Sequence, residues 1–149
     1  MNPFNELTKL YLDIDNQYAS LEFDAHSKGN IRKERDYQRK RYLNDQAYFL
    51  FIFTRLEKRI RDLSDNLINL KNTNNASYKN KNAWRLIKKG QTNLMDRVSF
   101  FQLPGGQTYT KIYDYKKDRD KVAHGNIASG INIPTILSEM KQLYHDLNT

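Results

Sequence analysis

The sequence predicts an all-α protein, an up-and-down helical bundle of about five to six helices in a single domain that spans residues 1–149. Apolar residues recur at spacings of three and four over nearly the whole chain, which is the helical period. No segment alternates apolar and polar residues as a strand does, and no hairpin signal or internal repeat is present. The chain has no cysteine, so disulfides and thiolate chemistry are excluded.

Two apolar stripes separated by a glycine predict the first two helices. The first helix is expected over residues 4–25, with Gly29 in "HSKGN" supplying the break, and the second over residues 31–72. The stripe of the first helix comprises Phe4, Leu7, Leu10, Tyr11, Ile14, Tyr18 and Leu21. The stripe of the second comprises Phe49, Phe53, Leu56, Ile60, Leu63, Leu67 and Leu70. Its 3.5-residue spacing is typical of long packed helices and would equally serve a dimer.

Shorter helices are expected in the second half of the chain. A short helix over residues 81–89 ends at Gly90, and another begins at Thr92 or Asn93 as cap and runs to Gln102. The turn signal "LPGGQT" precedes a helix over residues 109–123. Pro134 then marks the first turn of the last helix, which carries Ile136, Leu137, Met140, Leu143, Tyr144 and Leu147.

The apolar and charged segments indicate where the protein works and what it binds. The longest apolar run, residues 47–53, is too short to cross a membrane, and no export leader is evident, so a cytoplasmic protein without a membrane partner is expected. The net charge is +8, residues 66–95 hold no acid, and "KGNIRKERDYQRKR" at 28–41 has seven cations against two acids. Each block alone is typical of a solvated face or a connector, but together they favour a nucleic-acid partner.

The segment "RDKVAHGN" at residues 119–126 is the strongest candidate for chemistry. On a helical wheel Arg119 falls in the middle of an apolar face formed by Ile112, Tyr115, Val122 and Ala123. A permanently charged guanidinium in such a face must meet an acid, a phosphate or an interface. A surface arginine beside a helix-capping histidine is the plain alternative.

Asp120 and His124 lie one helical turn apart in this segment. The aspartate can therefore bind one imidazole nitrogen and fix its tautomer. Gly125 is expected to end the helix in the left-handed conformation. Arg119 and His124 point about 140 degrees apart on a continuous helix, so either the helix bends before His124 or two chains meet at a two-fold axis. No ligand spacing for zinc is present, and no metal is expected.

The stretch "R-D-K-V-A-H", residues 119–124, resembles the R-x4-H motif of the HEPN-domain ribonuclease family, and the helical layout extends this resemblance over most of residues 4–147. The resemblance implies a helical bundle that dimerises and cleaves RNA without a metal or cofactor. It implies that His124 is the acid or base at the ribose 2'-hydroxyl and scissile phosphate, that Arg119 steadies the phosphate charge, and that the product is a 2',3'-cyclic phosphate. Asp120, as argued above, would back the histidine.

The resemblance also suggests partners and a biological role. A prokaryotic toxin or antiphage defence effector is expected, with an antitoxin or regulatory protein as a further partner. The residues expected to contact RNA around the motif are Lys116, Lys117, Lys121, Tyr113 and Asn126. One toxin subset has a tyrosine where this chain has Asn126, so an antitoxin that modifies that tyrosine is not expected. Some HEPN domains only bind RNA or proteins, which leaves a non-catalytic module as the alternative, beside a structural oligomerisation domain built on the second helix.

Overall fold

The computed structural model of the protein describes residues 3–73 and 91–147, and these residues form helices and connecting turns without a strand. The helices are α1 (Pro3–Ser27), α2 (Ile31–Thr73), α3 (Leu94–Val98), α4 (Gln107–Ala123) and α5 (Ile133–Asp146). The prediction of an all-helical bundle is therefore confirmed. The short helix predicted over residues 81–89 lies outside the described residues, as does Gly90.

The break between α1 and α2 is the one that the sequence predicts. Gly29 adopts a φ of 67°, and the amides of Gly29 and Asn30 donate to the carbonyls of His26 and Ala25 at 2.9 Å each, which is a Schellman ending. The Asn30 side chain then accepts from the Lys33 amide at 3.1 Å and so caps α2. Asn30 thus contributes its backbone amide to the end of α1 and its side chain to the start of α2.

These two helices form an antiparallel hairpin. Tyr11 packs edge-on against Tyr48 with ring centroids 5.3 Å apart, and nearer the turn Arg41 donates to Asp15 and Glu22 at 2.9 Å each. Residues 15–45, all of them described, contribute nothing to the main hydrophobic core. This part of the hairpin therefore projects from the hydrophobic core, and here each of the two helices packs mainly against the other.

The core lies around the middle of α2. The α2 side chains that are fully buried are Phe49, Ile52, Phe53, Leu56 and Ile60. Around them pack Phe4 of α1, Val98 of α3, Ile112 of α4 and Ile136, Met140 and Leu143 of α5. Burying this stripe from several sides is the main stabilising contribution to the fold.

The apolar stripes predicted for α1 and α2 include residues that are exposed in the structure. Leu70 of α2 is 52% exposed and Ile68 is buried in its place, because a seven-residue spacing drifts around a straight helix by about 20° per heptad. Leu10 and Leu21 of α1 are also exposed, so their assignment to the buried stripe was wrong. A helix with a single neighbour buries a narrower stripe than the sequence pattern suggests.

The shorter helices begin close to where the sequence predicts. Asn93 caps α3 in a capping box with Asp96, but α3 ends at Val98 and not at Gln102, and the chain continues in turns. Helix α4 begins at Gln107, just after Gly105 with its φ of 81°. Asn132 caps α5, whose first turn contains Pro134 as predicted. No helix within the described ranges has both the length and the apolar character needed to cross a membrane.

Candidate functional site

Arg119 lies on the inner side of α4 and contacts α2. Its Nη2 donates to Glu57 Oε2 at 3.3 Å, its Nη1 lies 2.8 Å from Asp120 Oδ1, and the guanidinium sits 5.5 Å from the centroid of the Phe53 ring. Only 26% of the side chain is exposed. Of the three environments that the sequence allowed for this charge, an acid is therefore the one present within the chain. Of the surrounding apolar face, Ile112 is fully buried, whereas Ala123 is exposed.

Glu57 is a residue of the candidate site that no pattern in the sequence identified. Only 19% of its side chain is exposed, and it accepts from both Arg119 and Arg61, the latter at 2.7 Å. The sequence allowed an acid, a phosphate or an interface as the partner of Arg119, and which residue lies there depends on how α4 crosses α2. This crossing brings together residues that are 62 positions apart.

Asp120 does not contact the His124 imidazole, contrary to the expectation from their spacing. Its carboxylate accepts from Lys116 Nζ at 2.6 Å and pairs with Arg119 at 2.8 Å. The His124 backbone amide donates to the Asp120 carbonyl at 3.1 Å, which is an ordinary helical bond. Lys116 also lies one turn from Asp120, on the other side, and a permanent cation is a stronger partner for the carboxylate than an imidazole.

These contacts form a chain of alternating charges between two helices. In order, it comprises Lys116, Asp120, Arg119, Glu57 and Arg61. Each carboxylate in it is shared between two cations, so the guanidinium of Arg119 is held from two directions. The Arg119 Nε–H is buried and has no acceptor among the described residues, so the network leaves one donor of the guanidinium unsatisfied.

His124 ends α4 as the sequence predicts. It is the C-cap residue, with φ −89° and ψ 14°, and Gly125 follows with φ 78°. The amides of Gly125 and Asn126 donate to the carbonyls of Val122 and Lys121 at 3.0 and 2.9 Å, which completes a Schellman ending. The His124 side chain is exposed, and within the part of the chain that the structure describes its ring nitrogens make no hydrogen bond or ion pair.

The regular course of α4 answers one question that the sequence left open. The helix continues to Ala123 without interruption, so no bend turns His124 towards Arg119. The two side chains therefore diverge by the angle of a regular helix, about 140 degrees for five residues. Within one chain, Arg119 faces α2 and His124 faces solvent.

The segment after His124 is fastened to α2 as well. Gln46, which is buried, donates through Nε2 to the Ala128 carbonyl at 3.1 Å and accepts from the Ala128 amide at 3.2 Å. One side chain thereby satisfies both backbone groups of a buried residue, as buried polar groups require. Helix α2 therefore holds Arg119 through Glu57 and the loop beyond His124 through Gln46.

The five candidate RNA-contacting residues all lie on the outer part of α4 or just after it. Lys116 is half-buried and bound to Asp120, whereas Lys117 pairs with Asp114 at 2.8 Å and Lys121 with Asp118 at 3.1 Å. The last two are exposed pairs within one helix, which are weak and exchange readily for another anion. The Lys117 ammonium also lies 4.9 Å from the exposed Tyr113 ring, and Asn126 is exposed.

A second polar contact ties α4 to α5. The Tyr115 hydroxyl donates to Glu139, whose other oxygen lies 3.2 Å from Lys111 Nζ. Burial, and then the bond to Glu139, raise the pKa of Tyr115, and the same hydrogen bond lowers the pKa of Glu139. These groups stabilise the packing of α4 and are separate from Arg119 and His124.

The arrangement can hold an anion but not, on its own, a metal. Residues 3–73 and 91–147 contain no group of three or more histidine or acidic side chains placed to bind a metal ion. A phosphate could replace Asp120 or Glu57 on Arg119, and an exposed imidazole could accept or donate a proton.

No protein-family model matches the chain, and no curated protein or solved structure is significantly similar to it.

Proposed function

We propose that the protein is a metal-independent endoribonuclease of the HEPN type whose active site is completed by a second copy of the chain. The proposal rests on the imidazole of His124, which is exposed and makes no hydrogen bond to a described residue. The same helix carries Arg119, whose guanidinium is held by Glu57 and Asp120. Both groups fit cleavage by the neighbouring 2'-hydroxyl, which needs a proton acceptor and a cation for the phosphate charge.

In this reaction His124 takes the proton from the ribose 2'-hydroxyl. The 2'-oxygen attacks phosphorus, the bond from phosphorus to the 5'-oxygen breaks, and the leaving oxygen takes up a proton from water, so the products are a 2',3'-cyclic phosphate and a 5'-hydroxyl. Arg119 stabilises the charge on the phosphate oxygens through its paired donors. Asp120 can release Arg119 to the phosphate because Lys116 remains bound to it at 2.6 Å.

A dimer is proposed because Arg119 and His124 diverge within one chain. A two-fold axis near the end of α4 would bring the arginine of one copy to the histidine of the other. Exposed apolar side chains adjoin this end: Ile127 is 60% exposed beside the Ala128 anchor, and Leu43 is 49% exposed one turn before Gln46. Apolar surface of this kind is what a second copy covers.

The direct test is cleavage of mixed RNA in the presence of EDTA. Wild type is expected to produce cyclic-phosphate ends, and His124→Ala and Arg119→Ala to lower the rate by about 100-fold or more. His145→Ala, which removes an exposed histidine from α5, is the matched control and should cleave as wild type does. No cleavage, or equal cleavage by wild type and both variants, would overturn the enzymatic proposal. As a toxin or defence effector the protein should also slow growth on expression, unlike its His124→Ala variant.

A non-catalytic RNA-binding module is the second candidate function. It is favoured by the pairing of Arg119 with two carboxylates of the same chain, since a structural ion pair would have the same geometry. In that case RNA binding is salt-sensitive, survives His124→Ala, and is not followed by strand scission.

A further inference from the structure

The projecting part of the α1–α2 hairpin carries a line of arginines that points towards the candidate site. We propose that Arg32, Arg35 and Arg39, here called the arginine track, bind the phosphate backbone of RNA whose scissile position lies at the end of α4. The proposal rests on the proposed function in its choice of RNA as the ligand. It adds a binding surface remote from Arg119 and His124.

The residue spacing places the arginine track on the same side of α2 as Gln46 and Phe53, which contact the segment that contains Arg119 and His124. On a helical wheel Arg35 and Arg39 lie within about 20 degrees of the direction of Gln46, and Arg32 within about 40 degrees. Phe53 follows Gln46 by seven residues and lies about 20 degrees from its direction. Gln46 binds the loop beyond His124, and Phe53 lies under Arg119. With a rise of 1.5 Å per residue, Arg39 lies about 10 Å and Arg32 about 21 Å along α2 from Gln46.

The charges of the track are not neutralised within the described part of the chain. Three neighbouring cations of the hairpin have acidic partners: Lys28 pairs with Asp24 at 2.7 Å, Lys40 with Asp36 at 2.8 Å, and Arg41 with Asp15 and Glu22. Arg32, Arg35 and Arg39 form no ion pair with a described residue, and neither does Lys33. The hairpin therefore presents an excess of positive charge on one side.

A shallow depression brings these cations together. It has a volume of about 640 Å³ and is lined by Asn30, Arg32, Lys33, Arg35, Asp36 and Arg39. Its one carboxylate, that of Asp36, is bound to Lys40. A concave surface with several free guanidinium groups fits a chain of phosphates, each of which can accept two parallel hydrogen bonds from one arginine.

An RNA backbone fits the track better than a membrane surface does. Phe23 and Ile31 are strongly exposed near the hairpin turn, but membrane-binding helices need a continuous apolar face opposite their basic face. The N-terminal part of α2 from Arg32 to Arg39 has a single partly buried aromatic residue, Tyr37, which packs against Tyr18. The regular line of charges leading to the motif is the geometry expected for a polyanionic strand.

The test measures RNA binding without cleavage. The triple variant R32A/R35A/R39A is made in the His124→Ala protein, and binding of a labelled single-stranded RNA of about 20 nucleotides is followed by fluorescence anisotropy over a range of salt concentrations. Loss of two or three phosphate contacts should lower the slope of log K against log salt by about 1.4 to 2, and weaken binding at least tenfold at low salt. All three residues are exposed and alanine favours helices, so the fold should persist, which circular dichroism checks.

A matched control removes the same charge elsewhere. Lys9→Ala, Arg55→Ala and Lys141→Ala together delete three cations outside the track, and Arg55 points about 160 degrees from Arg39 on α2. This control should keep the wild-type salt slope. Equal losses in the two triple variants, or no RNA binding by the His124→Ala protein, would overturn the track. So would a track variant that binds RNA normally but has lost binding to phosphatidylserine vesicles.

The two proposals fail separately. If wild type does not cleave RNA but the track variant loses RNA binding, the track stands and the ribonuclease proposal falls. If cleavage depends on His124, but R32A/R35A/R39A made in a protein that keeps His124 cleaves long and short RNA as wild type does, only the track falls.

Discussion

The guanidinium of Arg119 lies 3.3 Å from the carboxylate of Glu57 and makes the only ion pair among the described residues between α4 and α2. The contact is half-buried, and Arg61 shares the same carboxylate from one turn further along α2. The position of Arg119 is therefore set by α2 as much as by its own helix.

Replacing Glu57 by glutamine should affect both stability and cleavage. The variant keeps the shape of the side chain but removes the charge that Arg119 and Arg61 share, so the free energy of unfolding should fall by about 1 kcal/mol. RNA cleavage should fall by about tenfold, because a displaced arginine stabilises the phosphate less well. Urea denaturation and cleavage rates check the two effects. Asp62→Asn, which disrupts only the exposed pair with Lys58, is the control and should change neither appreciably.

A double-mutant cycle can show which partner Asp120 has in solution. Asp120→Asn combined with Lys116→Gln should give a coupling energy of about 0.5 kcal/mol in stability, because the two side chains are bonded at 2.6 Å. Asp120→Asn combined with His124→Ala should give a coupling close to zero. A clearly larger coupling in the second cycle would mean that the carboxylate binds the imidazole after all.

Truncation of Gln46 should be costly. Gln46→Ala leaves the buried amide and carbonyl of Ala128 without partners, and the free energy of unfolding should fall by about 2 to 4 kcal/mol. Gln17→Ala removes an exposed glutamine of α1 and should be nearly neutral. Chemical denaturation compares the two, and equal stability of both variants would show that the loop is not anchored in this way.

The Tyr115–Glu139 contact predicts a dependence of stability on acid pH. The hydrogen bond from Tyr115, and then the one from Lys111, hold the pKa of Glu139 below its ordinary value of 4.5. A carboxylate with a lowered pKa in the folded state stabilises the fold above its unfolded pKa, and this stabilisation is lost as the pH falls through the folded pKa. Urea unfolding between about pH 6 and pH 3 should therefore show a steeper loss for wild type than for Glu139→Gln. Glu6→Gln, on an exposed part of α1, should keep the wild-type slope.

Mixing two inactive variants tests whether one site uses two chains. Arg119→Ala and His124→Ala are each expected to be inactive. If the arginine of one copy works with the histidine of the other, half of the dimers in an equal mixture are mixed and each has one intact site of two, so about a quarter of wild-type activity should return. A mixture as inactive as its components, in spite of exchange of subunits shown by size analysis, would contradict a site shared in this way.

The local features of the fold were predictable from short segments. Gly29 and Gly125 ended their helices, Asn93 capped α3, and Pro134 lay in the first turn of α5, because caps and breaks depend on a few adjacent residues. What depends on packing was not predictable. The end of α3 was placed four residues too late, and Leu10, a member of the predicted apolar stripe, is exposed because α1 has too few neighbours to bury it.

In the candidate site, too, the features that depend on nearby residues were predictable and the contacts between distant residues were not. The need of Arg119 for an acid, a phosphate or an interface, and the position of His124 at a helix end, followed from the sequence around them. The identity of Glu57 as that acid and the anchoring of Ala128 by Gln46 could not, because both involve residues more than 60 positions apart. The preference of Asp120 for Lys116 over His124 was a choice between two neighbours at equal spacing, and charge decided it.

Helix α2 runs without interruption from Ile31 to Thr73, and this continuity has a mechanical consequence. Because this helix is continuous, the direction in which the hairpin presents its arginines is set by the same rotation that directs Glu57 to α4 and Gln46 to the loop after α4. Two residues inserted between Arg39 and Gln46 would turn one end by about 200 degrees relative to the other while leaving each end intact. The single helix α2 thus fixes the orientation of the arginine track relative to the side chains that contact Arg119 and the loop after His124.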